Sequence, residues 1–251
     1  MRAAHATHAT SVNANAAKHS RTNRASTPRR MMSRTAAAVA PFEFQTATRM
    51  VFGRGAFDRV PALVRELAEL EGVDTTKNPV LIVTGESERF SKPLEEKLVG
   101  ELGARAATFR CPRGEPTVAS AIACIEFATK NKCGIVVAVG GGTAVDTAKC
   151  VAAMITNGGA EPDLYEFLEV VGRAQPLTKR TAPFIAIPTT AGPGAEVAKN
   201  SVLEAGDRKV SMRHPFMLPS VAVRRLCLCL CLCLFSGCPV RFSRHPSRAI
   251  D

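Results

Sequence analysis

The chain has 251 residues, 46% of them apolar, so it can bury a sizeable core, and its formal net charge is +11. That excess sits at the two ends: residues 1–41 carry +7 with no acid, residues 224–251 carry +4, and the stretch 42–223 between them is neutral. With one Tyr and no Trp, the neutral body lacks the basic, aromatic-studded surface of a nucleic-acid binder, and no run reaches the roughly 18 apolar residues that span a bilayer.

Residues 1–41 are rich in Ala, Ser, Thr and Arg, and the first carboxylate is Glu43. This is the composition of an organelle transit peptide, mitochondrial or plastid; the alternative is a disordered basic tail. No apolar run follows the positive charges, which argues against a secretory signal, and either reading sets the segment apart from the fold. The body, 42–223, then alternates between strand and helix patterns. "FEFQTATRMVFGRGAF" contains extended pieces and a Gly-Arg-Gly turn. Val60, Leu63, Val64, Leu67 and Leu70 recur at helical spacing. "NPVLIVTG" is a short β run ending in Gly85, and "SKPLEEKLVGELG" is helix-like. "AATFRC" reads as a strand, and Thr117 is placed to cap the helix "TVASAIACIEFATKNK". "CGIVVAVGGG" is a buried strand running into glycines, "TAVDTAKCVAAMITN" is helical, and "PFIAIPTTAGPGAE" is a last apolar strand. Fully apolar strands alternating with helices predict an α/β fold with a parallel sheet covered on both faces. Cys111, Cys124, Cys133 and Cys150 lack CxxC spacing and are expected to be ordinary buried thiols.

Two glycine-rich loops fall at the C-terminal edge of that sheet, where such folds bind ligands. In "VVAVGGGTAVDTAK", Gly140, Gly141 and Gly142 let a ligand approach the backbone, and a helix starting near Thr143 aims its free N–H groups at the same point, as a pyrophosphate requires. The loop ends without the Gly-Lys-Ser/Thr of a P-loop, and Val145 stands where a GxGxxG pattern needs its third glycine. A tight strand-to-helix turn would explain it equally. In "FIAIPTTAGPGAEVAKN", Thr189 and Thr190 place hydroxyls at the edge before Gly192 and Gly194; the plainer alternative is a polar turn before a capped helix, accounting for Glu196 as well.

Together "AVGGGTAVDTAK" and "IPTTAGPGAEV" resemble the GGGS-x-x-D-x-A-K and IPTTAGTGSEV segments of iron-containing (group III) alcohol dehydrogenases. The opening stretch resembles that family's β-hairpin, "GEPT" its NPT-type turn, and "RKVSMRHPFMLPSVAV" the stretch before its metal-binding half. The resemblance implies a Rossmann-like, dehydroquinate-synthase-like N-terminal domain, normally followed by an all-helical domain that carries a divalent metal, iron or zinc. It implies hydride transfer between NAD or NADP and a small alcohol, aldehyde or hydroxy acid, with hydroxyacid–oxoacid transhydrogenases and maleylacetate reductases as relatives. It leaves a homo-oligomer open.

Carried over by residue, Gly140, Gly141, Gly142 and Thr143 hold the pyrophosphate, Asp146 and Lys149 brace that loop or reach the ribose, Thr189 and Thr190 contact the cofactor near the nicotinamide, and Lys209 lines the cleft. For Asp146 and Lys149 the alternative is a helix-surface ion pair. Gly85 stands where many members have an acid for the adenosine ribose, so relaxed NAD/NADP choice is expected, with Arg89 near enough to favour a 2′-phosphate. Pro193 and Ala195 replace a Thr and a Ser. The family's Gly-x-Asp-Ala-x-x-His segment is absent, His214 sits in a turn-like stretch, and the pattern stops at Val223. The all-helical metal domain is therefore expected to be missing, and the chain alone to have little activity. A non-catalytic dinucleotide-binding or interaction module is the rival reading.

The pattern gives way to a Leu-Cys alternation, Cys227 to Cys233. Thiols along one face of a strand stand about 7 Å apart, too far for one tetrahedral zinc. The ten-residue apolar run from Leu226 to Phe235 is too short to cross a membrane. A repeat this regular is what a tandem nucleotide repeat encodes, so residues 224–251 read as intron read-through or a frame error, with a divergent tail as the alternative.

Overall fold

In a computed structural model, which describes residues 44–158 and 163–225, the elements follow in chain order. They are β1 (Arg49–Gly53), α1 (Val60–Glu71), β2 (Val80–Thr84), α2 (Glu88–Leu102), β3 (Ala106–Arg110), α3 (Val118–Lys130), β4 (Ile135–Gly140), α4 (Gly142–Asn157), β5 (Phe184–Pro188), β6 (Asn200–Ala205), β7 (Arg208–Arg213) and β8 (Val221–Arg225). Six strands form one parallel sheet in the order β1-β8-β5-β4-β2-β3, while β6 and β7 make a separate antiparallel hairpin. The expected transit segment and the Leu-Cys run lie outside the described residues. No helix among the described residues is long and apolar enough to cross a membrane.

Alternation along each central strand builds two cores at once. Val80, Ile82, Ile135, Val137, Val139, Ile185 and Ile187 point to one face, where α1 and α2 cover them with Val60, Leu63, Val64, Leu94 and Leu98. Leu81, Val83, Val136, Ala138, Phe184 and Ala186 point to the other, against α3 and α4. The parallel sheet covered on both faces is the architecture its apolar runs predict. Leu70 departs from the expected α1 face and is 77% exposed, beyond the last turn that meets the sheet. Ser87 caps α2, and Thr117 caps α3 in a reciprocal capping box with Ser120.

Two expectations are corrected. The opening stretch is no hairpin among the described residues: β1 is a single strand pairing in parallel with β8, with Val51 turned into the core. The strand at 184–188 is not the last, since β8 inserts between β5 and β1. Between them, β6 and β7 turn through Gly206, whose φ of 64° suits the first position of a two-residue hairpin turn. This hairpin lays Leu203, Val210 and Met212 over the outer side of α4. That explains why α4 is buried almost all round from Ala144 to Met154: it lies between a sheet and a hairpin.

Candidate functional site

The strand order reverses direction at β2, which has β3 on one side and β4 on the other, with α2 and α3 leaving on opposite faces. Such a reversal opens a crevice at the C-terminal strand ends. Register levels the ends that face it: Thr84 pairs with Val139 and Gly140 with Pro188, so Gly85, Gly140 and Pro188 fall in one row. Thr189 N–H donates to Gly140 O at 2.8 Å and extends the ladder one residue further. The two glycine-rich loops are thus neighbours on adjacent strands, as expected.

In the first loop, a Cβ on Gly140 would come 2.7 Å from Ala144 Cβ, so only glycine lets the strand end pack under the helix. A Cβ on Gly141 would meet Thr190 Oγ1 at 3.4 Å, whereas Gly142 faces open space and is exposed. The N-terminus of α4 has no side-chain cap, unlike those of α2 and α3, and no charged residue occupies its first turn. Its free N–H groups and positive dipole end therefore face solvent beside a bare glycine, a cradle that fits a pyrophosphate. Thr143 does not point its hydroxyl at that space; it donates to Gly114 O at 2.7 Å and ties the β3–α3 loop to the helix.

The second loop ends in a 3-10 turn, Ala195–Val197, entered through Gly194 at φ 91°, so the capped helix of the plainer reading does not form. Thr189 is half-buried and Thr190 exposed at the mouth. Behind the loop, Lys149 is fully buried and donates to Ala195 O at 2.6 Å and Asn200 O at 2.7 Å, with Asp146 Oδ1 at 3.6 Å. The helix-surface pair is overturned: Lys149 grips both ends of the loop from inside. Burial pushes the Asp146 carboxyl up to about 6, against the pull of Lys149, and burial pulls Lys149 down. Ser201 Oγ donates to Asp146 O at 2.8 Å, joining β6 to the same helix turn. Glu196 is buried and faces Arg224 at 3.1 Å from the end of β8.

A cleft of about 210 Å³ lies between these ends, lined by Gly85, Glu86, Pro112, Arg113, Gly114, Gly141, Thr143 and Ala144. Glu86 and Arg113 are the residues sequence reading missed; the signal was there, an acid directly after the glycine that replaces the family's acid. Arg89 is not in the cleft lining, because its guanidinium lies 5.4 Å from the Phe90 ring centre. Lys209 is not in the cleft lining either; its ammonium pairs at 3.3 Å with Glu115, the residue after Gly114.

Among the described residues no group of three His, Cys, Asp or Glu side chains is arranged to hold a metal. His214 spends its Nδ1 accepting from Phe216 N–H at 3.2 Å, capping a short turn. Iron or zinc does not fit these described residues. Cys111, Cys124, Cys133 and Cys150 are all free and buried; burial raises each thiol, Cys133 to about 11 and Cys150 to about 12, so none is a nucleophile at neutral pH.

An uncapped helix behind a glycine cradle, two threonines just past the next strand and a crevice at the reversal of a parallel sheet are the features of a Rossmann-like fold. Residues 47–224 match the iron-containing alcohol dehydrogenase family, and the chain belongs to that family of oxidoreductases. It is 30% identical over 171 residues to long-chain-alcohol dehydrogenase 1 of Geobacillus thermodenitrificans, covering 68% of this chain and 41% of that protein. It is 35% identical over 99 residues to the mitochondrial hydroxyacid-oxoacid transhydrogenase of Bos taurus, covering 39% of this chain and 21% of that one. Among solved structures, the sulfoacetaldehyde reductase of Bifidobacterium kashiwanohense in complex with NAD+ superposes with a TM-score of 0.62 at 26% identity, over 75% of this chain and 47% of that one. The chain thus spans less than half the length of these relatives.

Proposed function

We propose that this chain binds NAD or NADP as the cofactor half of an iron-type alcohol dehydrogenase. The observation that carries the reading is the uncapped α4 N-terminus behind Gly140–Gly142, set at the sheet's reversal point next to Thr189 and Thr190. Gly141, Gly142 and the first N–H groups of α4 hold the pyrophosphate, Thr189 and Thr190 face the nicotinamide side, and Gly85 leaves room for the adenosine ribose. Gly140 and Thr143 shape the cradle, and Asp146 and Lys149 hold the second loop from behind.

The bound nicotinamide supplies a hydride donor or acceptor for an alcohol, aldehyde or hydroxy-acid carbon. The described residues contribute binding and orientation to that reaction and no metal ligands. The rival reading is a dinucleotide-binding module with no turnover of its own.

The test is Gly142→Asp. Nothing lies within 4 Å of a Cβ there, and an acid in the first helical turn suits the dipole, so the fold persists. The new carboxylate occupies the pyrophosphate's place. Calorimetric titration of the full chain with NADH is expected to give saturable binding that falls at least about tenfold in the variant, as loss of one charge-assisted contact implies. Equal binding by both proteins overturns the reading, whereas binding without alcohol oxidation selects the module.

A further inference from the structure

We infer that the open edge of β3, with the outer flank of α2 beside it, is an interface at which two copies of this chain pair about a two-fold axis. The proposal stands apart from the cofactor reading. β3 ends the six-stranded sheet and has β2 as its one neighbour among the described strands. Val80 N–H donates to Arg105 O at 2.8 Å, and Cys111 N–H donates to Thr84 O at 2.7 Å, so the odd-numbered residues of this stretch face β2. Ala106, Thr108 and Arg110 therefore turn their N–H and C=O groups outward, where no described strand meets them. β3 carries no proline, lysine or bulge, the devices that keep such an edge from pairing.

The flank above that edge also lacks a partner. α2 lies over it, with Thr108 Oγ1 donating to Glu95 Oε2 at 2.9 Å and Arg110 paired with Glu88. Along α2 runs a hollow of about 640 Å³, lined by Ser91, Lys92, Glu96, Val99 and Arg110 among others. Ser91 is 1% exposed, and its hydroxyl has no hydrogen-bond partner among the described residues. A buried polar group left in that state costs about 1–3 kcal/mol, so it marks a partner still to be supplied. Lys92 and Glu96 are exposed on the same flank, one helical turn apart, and neither is ion-paired among the described residues. Val99, 52% exposed, continues the strip.

A second copy meets these needs together. Antiparallel pairing of β3 with itself sets Thr108 against Thr108 on the axis and Arg110 against Ala106. The outward groups then form hydrogen-bonded pairs, and no like charges stand opposite each other along the strand. Because Glu95 stands over Thr108, the same axis lays the two α2 helices antiparallel and side by side on one face of a continuous sheet. At about 1.5 Å of rise per residue, Lys92 of one copy then stands about 3 Å along the axis from Glu96 of the other. The Lys92–Glu96 pattern is thus its own complement, and it brings fresh polar groups to the hollow over Ser91. A foreign strand would cap the edge without matching α2. The strand is only five residues long, so the dimer is reversible and depends on concentration.

The experiment is sedimentation equilibrium of the full chain over a range of concentrations, which should show monomer and dimer in exchange. Thr108→Pro removes an outward N–H and leaves the ladder to β2, so the fold should persist while the dimer weakens at least about tenfold. Lys92→Glu should weaken it by a similar factor at low salt, and Lys92→Glu combined with Glu96→Lys should restore it, which a merely structural role at either position would not do. A chain that stays monomeric at every concentration overturns the proposal. So does a dimer indifferent to Thr108→Pro and to the charge exchange, which would lie on another surface such as the β1 edge. If Thr108→Pro does not fold, the charge exchange decides alone: failure of the double variant to recover the dimer overturns the interface.

Discussion

The ion pairs behind and in front of the β4–α4 turn are built from the same kinds of side chain and differ in how much water reaches them. Behind it, Lys149 is sealed among α4, β6 and the second loop, and spends its ammonium on two backbone carbonyls as well as Asp146. In front, Glu86 and Arg113 meet in solvent across an open cleft. A buried charge is costly to strand, so it fixes architecture. An exposed pair exchanges partners cheaply, so it can read a ligand. The electrostatics divide accordingly: the charge that holds the second loop faces inward, and the pair at the cleft stays in water.

The comparison breaks most directly at Lys149. Lys149→Met leaves the carbonyls of Ala195 and Asn200 without their donor and strands Asp146 without its cation, which should cost about 3–5 kcal/mol in urea unfolding. A loss below about 1 kcal/mol would mean that the second loop is held by other contacts.

Asp146 gives the next effect, read as a pH trend. Its folded value, about 6, lies above the ordinary 3.8 because burial outweighs Lys149, so its contribution is fullest at acid pH and is lost as pH rises through about 6. The stability difference between the native chain and Asp146→Asn should therefore move against the native chain by about 1–3 kcal/mol between pH 4 and pH 7. A difference moving the other way would show an Asp146 held ionised by Lys149. The smallest effect belongs to the exposed pair: Glu86→Gln should change unfolding stability by no more than about 0.5 kcal/mol. A larger loss would make it a structural pair like the one behind.

The central strands and their helices were legible because burial on both faces leaves continuous apolar runs such as "VLIVT" and "IVVAV" between helical periodicities. The hairpin β6–β7 and the strand β8 were not read, since "NSVLEA", "RKVSMR" and "VAVRR" are short and mix charge with apolar residues. One trace of the hairpin was present in α4: a helix without a polar face must be covered twice, and Lys149 in its middle needed an interior partner. For the site, glycines and threonines announced the cradle through backbone needs that depend on residue type. Glu86, Arg113 and the role of Thr143 depend on which loop ends meet across the sheet, and that is a property of strand order rather than of any local pattern.

That strand order also has a history in synthesis. β1 is made first, yet its partner among the described strands is β8, with Arg49 joined to Val221, and β5 likewise meets β8 at Ile185 and Ala186. Until Val221–Arg225 leaves the ribosome, the nascent domain carries an orphan first strand and an open flank on β5, an invitation to chaperones and to premature pairing with other chains. Completion of the sheet is thus a late, long-range event, and the emergence of Val221–Arg225 sets the moment when β1 and β5 can both be paired.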